Sequence, residues 1–409
     1  MEARVLGIDL SDISTDLIFY PHEEGLRFPT VICKEKDSER WTVGEEAYDL
    51  ALKGRGVITD KLVNLAKRRG TSTLNGVKYQ GRDLLKLFLK EVLEQGMEKQ
   101  GGSFPQEVVL SVPNIDNATV DEVKYCFREL GYSPSHVHVI SREESFVYYV
   151  LSQKKEYWNN QVGLFDLSDI SLTYYEMKAV KKSKGYLVTA ESEAMNEAFN
   201  LDILNTPSGA KMADRILKSA AQNVLGKKVF SSIILTGKAF EAQQWAGEFL
   251  DFIGKRRRIF HDIDLFAKGA AFRGMDLLSQ KPLYNITCVC QGRLPATLSV
   301  DLISEGKLSR VDLARLGDPW YQIKHDLRVI PDGLEELTFF VTPLEGRKKR
   351  EITIPLNFLP DRPSKTRRID LRIRFLNESL LQIKIRDAGF GDLYKVRDLE
   401  KEFEVSLWG

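Results

Sequence analysis

Over roughly the first 280 residues, short apolar runs alternate with longer segments of helical spacing. RVLGIDL (4–10) predicts a buried strand, the polar DLSDIST a turn, and DLIFY a returning strand, which together make a hairpin. FPTVIC (28–33) predicts one further short strand. Helices are predicted over 57–69 and 82–99; in the second, Leu84, Leu85, Leu87, Phe88, Val92 and Leu93 recur at helical spacing. VVLSVP (108–113) reads as a buried strand stopped by Pro113. NATVDEVKYCFRELG (117–131) reads as a helix capped by Asn117 or Thr119 and closed by Gly131. VHVIS (137–141) predicts a strand, and 142–153 a helix. The order strand, helix, strand, helix argues for an α/β sheet covered by helices.

After a polar break at 154–161 the pattern restarts. Strands are predicted over 162–167, 172–177, 185–191 and 231–237, and helices over 208–225, 239–253 and 265–278. The last helix, LFAKGAAFRGMDLL, is rich in small residues and suited to close packing. The restart is spelled in the letters: DLSDIS occurs at 9–14 and again at 166–171. Two matching strand-turn-strand units opening two α/β halves predict an internal duplication. From about 283 the texture becomes alternating, as in LTFFVTPL and IDLRIRFL, which predicts an antiparallel β-sandwich. The expected domains are therefore 1–280, with lobes at about 1–155 and 160–280, and 283–409.

Composition changes this picture little. The 409 residues carry a net charge of +1, so no global field points to nucleic acid or a membrane surface. The start of the chain lacks a signal-peptide pattern, no run reaches a membrane span, and the expected compartment is the cytoplasm. Four cysteines stand at 33, 126, 288 and 290 without a pairing pattern, which fits reducing conditions. Cys288 and Cys290 share a strand face and read as packed residues. His136 and His138 read as polar strand-edge residues without a third metal ligand. The basic runs GKRRRIFHD (254–262) and GRKKRE (346–351) read as solvated loops. Arg372 and Arg374, then Lys384 and Arg386, read as a solvated outer face, the alternative being a docking patch for an acidic partner.

The paired turns, with the segments around them, resemble the actin-like ATPase fold and, within it, the seventy-kilodalton heat-shock chaperone family. GIDLSDIS and FDLSDIS stand where that family carries IGIDLGTT and FDLGGGT. RFPTVI followed by WTVGEEA, the segment 108–145, ILTGKAF (234–240) and FAKGAA (266–271) follow the family's order. The stretch 359–391 is similar to its substrate-binding strands. This resemblance implies that ATP or ADP with Mg²⁺ is gripped between the two turns, and that a protein or peptide partner binds the sandwich.

Carried over by position, the resemblance implies a nucleotide- and cation-binding set. Asp9 and Asp166 would hold Mg²⁺, and Ser171 would touch the terminal phosphate. Ser11, Asp12 and Ser14 would line the first turn, and Ser168 and Asp169 the second. Lys67 falls near the phosphate-contacting lysine, and Glu143 or Glu144 near the glutamate that orients water. Gly237 and Lys238 occupy the adenosine motif, and Gly269 the connecting helix. The departures are as informative. Family loops are glycine-rich so that backbone N–H groups approach phosphate; here serine, aspartate and isoleucine intervene. The second downstream acid becomes Thr173, the stretch before ILTG is short for an adenine-clamping sublobe, and no helical lid follows Gly391. The expected function is a chaperone-like pseudo-ATPase, or very weak ATPase, acting as a protein- or peptide-binding module. The alternatives are an active ATP-dependent chaperone with an acidic metal site, and a polymerising actin-like filament protein.

Overall fold

The computed structural model describes residues 5–22, 24–99, 104–168, 171–226, 228–344 and 348–408. The chain divides into two compact units, Met1–Ile286 and Thr287–Gly409.

The first unit opens with β1 (Val5–Leu10), β2 (Ser14–Tyr20) and β3 (Leu26–Pro29). A small sheet of β4 (Ile32–Glu35), β5 (Trp41–Val43) and β6 (Gly56–Thr59) carries α1 (Glu45–Leu52). Next come α2 (Leu62–Lys67), a hairpin of β7 (Thr71–Leu74) and β8 (Val77–Gln80), and α3 (Gly81–Lys99). β9 (Glu107–Val112), α4 (Asn117–Glu129), β10 (Val137–Ser141) and α5 (Arg142–Ser152) complete this half. The second half runs β11 (Gln161–Leu167), β12 (Leu172–Lys182), β13 (Gly185–Ala194), α6 (Pro207–Leu225), β14 (Phe230–Thr236), α7 (Gly247–Ile253), β15 (Arg258–His261) and α8 (Leu265–Leu278).

The principal sheets of the two halves repeat one pattern. In the first, β10-β9-β1-β2-β3, the hairpin strands pair antiparallel and β9 and β10 run parallel to β1. In the second, β15-β14-β11-β12-β13 have the same order and the same directions. Every residue of β1 and β9 is buried, as are six of the seven in β14, as expected of strands covered on both faces.

Two helices cross between the halves. α5 follows the first sheet yet packs on β13, while α8 follows the second sheet yet packs on β1, β2 and β9. The two helices also lie against each other. Gly269 makes this approach fit: a Cβ there would collide with the Ser145 carbonyl oxygen of α5. Overpacking of this kind costs about 1–3 kcal/mol, so Gly269→Ala should lower the thermal midpoint of this unit while Ala270→Gly leaves the α5–α8 spacing unchanged. Thermal unfolding followed by circular dichroism checks it, and an unchanged Gly269→Ala midpoint would remove the close-packing argument.

Several expected elements are corrected. The expected helix over 57–69 begins as strand β6, because Gly56–Thr59 pairs antiparallel with β4 and only Leu62–Lys67 is helical. FPTVIC breaks into β3 and β4 after Pro29, where Val31 N–H donates to the Pro29 carbonyl at 2.9 Å. The expected helix over 239–253 is interrupted. Trp245 Nε1 donates to the Ala239 carbonyl at 3.0 Å, and the buried Asp214 carboxylate accepts the Glu248 and Phe249 amides at 2.8 Å each. The helix therefore restarts at Gly247. The basic run 254–262 is not all loop, since Arg258–His261 pairs parallel with β14. The cap of α4 is Asp116, one residue before the expected Asn117.

The second unit follows β16 (Ile286–Val289) with two antiparallel four-stranded sheets. One joins β18 (Lys307–Ala314), β17 (Ala296–Ser304), β20 (Glu336–Pro343) and β21 (Arg350–Pro355). The other joins β19 (Lys324–Val329), β22 (Ile369–Phe375), β23 (Leu380–Asp387) and β24 (Glu400–Ser406). In β22, Ile369, Leu371, Ile373 and Phe375 are buried while Arg372 and Arg374 are exposed. The outer charges are matched across strands, with Arg372 on Asp326 at 2.7 Å, Arg328 on Asp370 at 2.7 Å and Lys384 on Glu400 at 2.6 Å. A neutralised, solvated face follows, in place of an open cationic patch.

Candidate functional site

The two DLSDIS turns close themselves in the same way. In the first, Ser11 N–H donates to the Ser14 carbonyl at 3.0 Å. The Ser11 hydroxyl oxygen accepts the N–H groups of Ile13 and Ser14 at 3.2 and 3.1 Å. In the second, Ser168 N–H donates to the Ser171 carbonyl at 2.9 Å, and the two serine hydroxyls meet at 2.5 Å. Serine side chains close such turns by local hydrogen bonds to the backbone. In the first turn, two amides that could face an anion are thereby spent on the loop itself. Asp169 and Ile170 lie outside the described residues.

Register makes the two aspartates equivalent. Asp9 lies opposite Asp16 on β2 and beside Ser111 on β9. Asp166 lies opposite Thr173 on β12 and beside Thr236 on β14. Both are buried.

Between them stands a residue that the sequence reading passed over. Arg142 opens α5, and its Nε and Nη2 donate to the two Asp9 carboxylate oxygens at 3.0 and 2.7 Å. Its Nη1 lies 3.4 Å from an Asp166 oxygen. The guanidinium is also 4.7 Å from the centre of the Phe266 ring, a cation–π contact from α8. Burial alone would lower the Arg142 pKa; the charges of Asp9 and Asp166 hold it well above the ordinary range, so it stays a cation. Burial pushes the Asp166 carboxyl upward, with Arg142 opposing and Asp9 adding to the rise. One signal for Arg142 was present in VISREES. A cation in the first turn of a helix opposes the helix dipole, so it calls for a carboxylate partner.

The remaining expected residues scatter around this pair. Asp12 accepts the Asn64 backbone N–H at 3.1 Å and its side-chain amide, and so serves the first turn of α2. Lys67 pairs with Asp116, the cap of α4. Glu143 is buried; one of its oxygens accepts the Ser192 hydroxyl, and the other has no hydrogen-bond partner among the described residues. Glu144 is also buried and lies 3.6 Å from Arg273. Gly237 has φ 95°, and a Cβ there would sit 2.8 Å from Asp166 Oδ1, so β14 ends hard against the second aspartate. Lys238 follows in a short 3-10 turn. Gly269 contacts α5, as described above. A second ion pair adjoins the site: Arg27 bridges to both Asp16 oxygens at 2.8 Å and reaches the Ile263 carbonyl at 3.0 Å.

The donor set does not suit Mg²⁺. Asp9 commits both oxygens to the guanidinium and Asp166 faces it with one, whereas a hard cation needs free carboxylate oxygens and room for water. Among the described residues, no group of three or more His, Cys, Asp or Glu side chains is arranged to hold a metal. His136 and His138 do find a shared partner, Glu107, at 2.6 and 2.9 Å, which makes them a hydrogen-bonded cluster at the sheet end.

No helix among the described residues is long and apolar enough to cross a membrane. In the second unit an open groove of about 620 Å³ is lined by Lys348, Lys349, Arg350, Leu407 and Trp408.

Comparison with curated proteins returns no match. Residues 293–407 match a domain of unknown function, DUF8552. Residues 15–291, more than half of the chain, starting just after the first DLSDIS turn and including the second, match the C-terminal model of a family of unknown function, DUF5716, and the chain belongs to that family.

Proposed function

We propose that the first unit is a duplicated actin-like domain whose nucleotide site has been converted into an internal ion pair, making the protein a pseudo-ATPase. The observation that carries this reading is Arg142. A permanently charged guanidinium lies between the two aspartates that would otherwise share a metal. The repeated strand order supports the duplication, and the first turn supports the loss of phosphate binding by spending its amides on Ser11.

The second unit, taken as a β-sandwich, is the partner-binding module in this reading. Its groove of three cationic side chains beside Leu407 and Trp408 suits an extended acidic peptide, by charge and by apolar contact.

Isothermal titration of the full chain with ATP and MgCl₂ tests the first claim. The expected result is no heat of binding at millimolar nucleotide. Micromolar binding with turnover that Asp9→Ala abolishes would overturn the pseudo-enzyme reading and restore an active ATPase.

A further inference from the structure

Cys288 and Cys290 stand at the start of the second unit. Cys288 lies within β16, and Cys290 lies just past its end. There Arg293 N–H donates to the Cys290 carbonyl at 3.0 Å and the chain turns. Alternate residues of a strand share a face. Here the turn brings the two side chains closer still: the sulfurs are 3.7 Å apart, with the Cys288 thiol donating to Cys290. Each residue retains 8% exposure, while Cys33 and Cys126 have none. All four cysteines are buried, and this pair is the less deeply covered of them.

We propose that Cys288 and Cys290 form a reversible redox pair, oxidised by low-molecular-weight disulfides. One thiol gives its proton to solvent, and the resulting thiolate attacks a sulfur of the small disulfide. A mixed disulfide forms and one small thiolate leaves. The second cysteine then loses its proton, attacks the protein-side sulfur and expels the other small thiolate. The protein dithiol is oxidised by two electrons, and the small disulfide is reduced to two thiols. A strand spaces alternate Cα atoms at about 6.5 Å, close to the upper limit for a disulfide. Such a bond is strained and belongs to the labile, regulatory class rather than the structural one.

The test uses the full, reduced chain incubated with excess oxidised glutathione, followed by intact mass and peptide mapping. Both cysteines fall on one tryptic fragment, residues 274–293, because Pro282 protects the bond after Lys281. The expected product has lost two hydrogens on that fragment, and mild thiol reverses it. Cys33→Ser with Cys126→Ser should oxidise identically, whereas Cys288→Ser and Cys290→Ser should stop at the glutathione adduct. A wild-type chain that keeps its reduced mass, or that ends as a glutathione adduct or a disulfide-linked dimer, overturns the proposal.

Discussion

Arg142→Ala should lower the stability of the first unit by about 3–5 kcal/mol, because it leaves the buried carboxylates of Asp9 and Asp166 facing each other without a cation. Thermal unfolding of the full chain measures this, and a loss of that size should move the midpoint of the unit by roughly 10 °C. Arg142→Lys keeps the charge but loses the two-pronged contact with Asp9, so it should fall between. The informative variant is Arg142→Ala combined with Asp9→Asn. Removing one carboxylate relieves the repulsion, so the double variant should be more stable than the sum of the single effects. A second readout separates packing from charge. With the guanidinium gone, the two carboxylates regain free oxygens, and millimolar Mg²⁺ should raise the midpoint of Arg142→Ala while leaving wild type unmoved. If Arg142→Ala loses less than about 1 kcal/mol, the ion pair is a surface contact in solution and the plugged-site reading fails.

That outcome bears on how much could be read from the letters. DLSDIS was visible twice, and the succession of strands and helices around it followed in outline from apolar runs and turn residues. In the structure the two aspartates take matching places on their hairpins, Asp9 opposite Asp16 and Asp166 opposite Thr173. The small residues of FAKGAA also announced a close helix contact, which Gly269 makes with Ser145. What the sequence could not show is which charges meet across a distance. Arg142 is remote in sequence from Asp9, and Arg27 is remote from Ile263, so no local pattern links them. Asp12 is expected in the nucleotide- and cation-binding set because it sits in the turn. In the fold its carboxylate is claimed by Asn64 at the start of α2. The breaks in expected helices have the same origin. Asp214 restarts a helix from another element altogether, and a tertiary hydrogen bond overrides local propensity.

The second unit should unfold in acid through one residue. Asp387 ends β23 with 1% exposure, and both its oxygens accept from Arg362 at 2.7 and 2.8 Å. It also accepts the Arg397 and Gly389 backbone N–H groups at 2.7 and 3.1 Å. Burial alone would raise its pKa; the Arg362 hydrogen bonds and the two amides prevail and hold it below the ordinary carboxylate range. The sign follows from linkage. A carboxyl with a depressed folded-state pKa stabilises fully above its unfolded value of about 4, and that stability is lost as pH falls through the folded value. Urea midpoints for the second unit should therefore be level from pH 7 to about pH 5 and drop steeply below about pH 4. Asp387→Asn should start lower at pH 7, because a neutral amide cannot replace the charge-assisted contacts, and should then decline less steeply in acid. Arg362→Met strands the carboxylate instead and should cost about 3–5 kcal/mol at pH 7. In that variant protonation relieves the penalty, so its deficit relative to wild type should shrink as the pH is lowered. A deficit that stays constant from pH 7 to pH 3 would mean that Arg362 contributes by packing against Tyr394 and not by its charge.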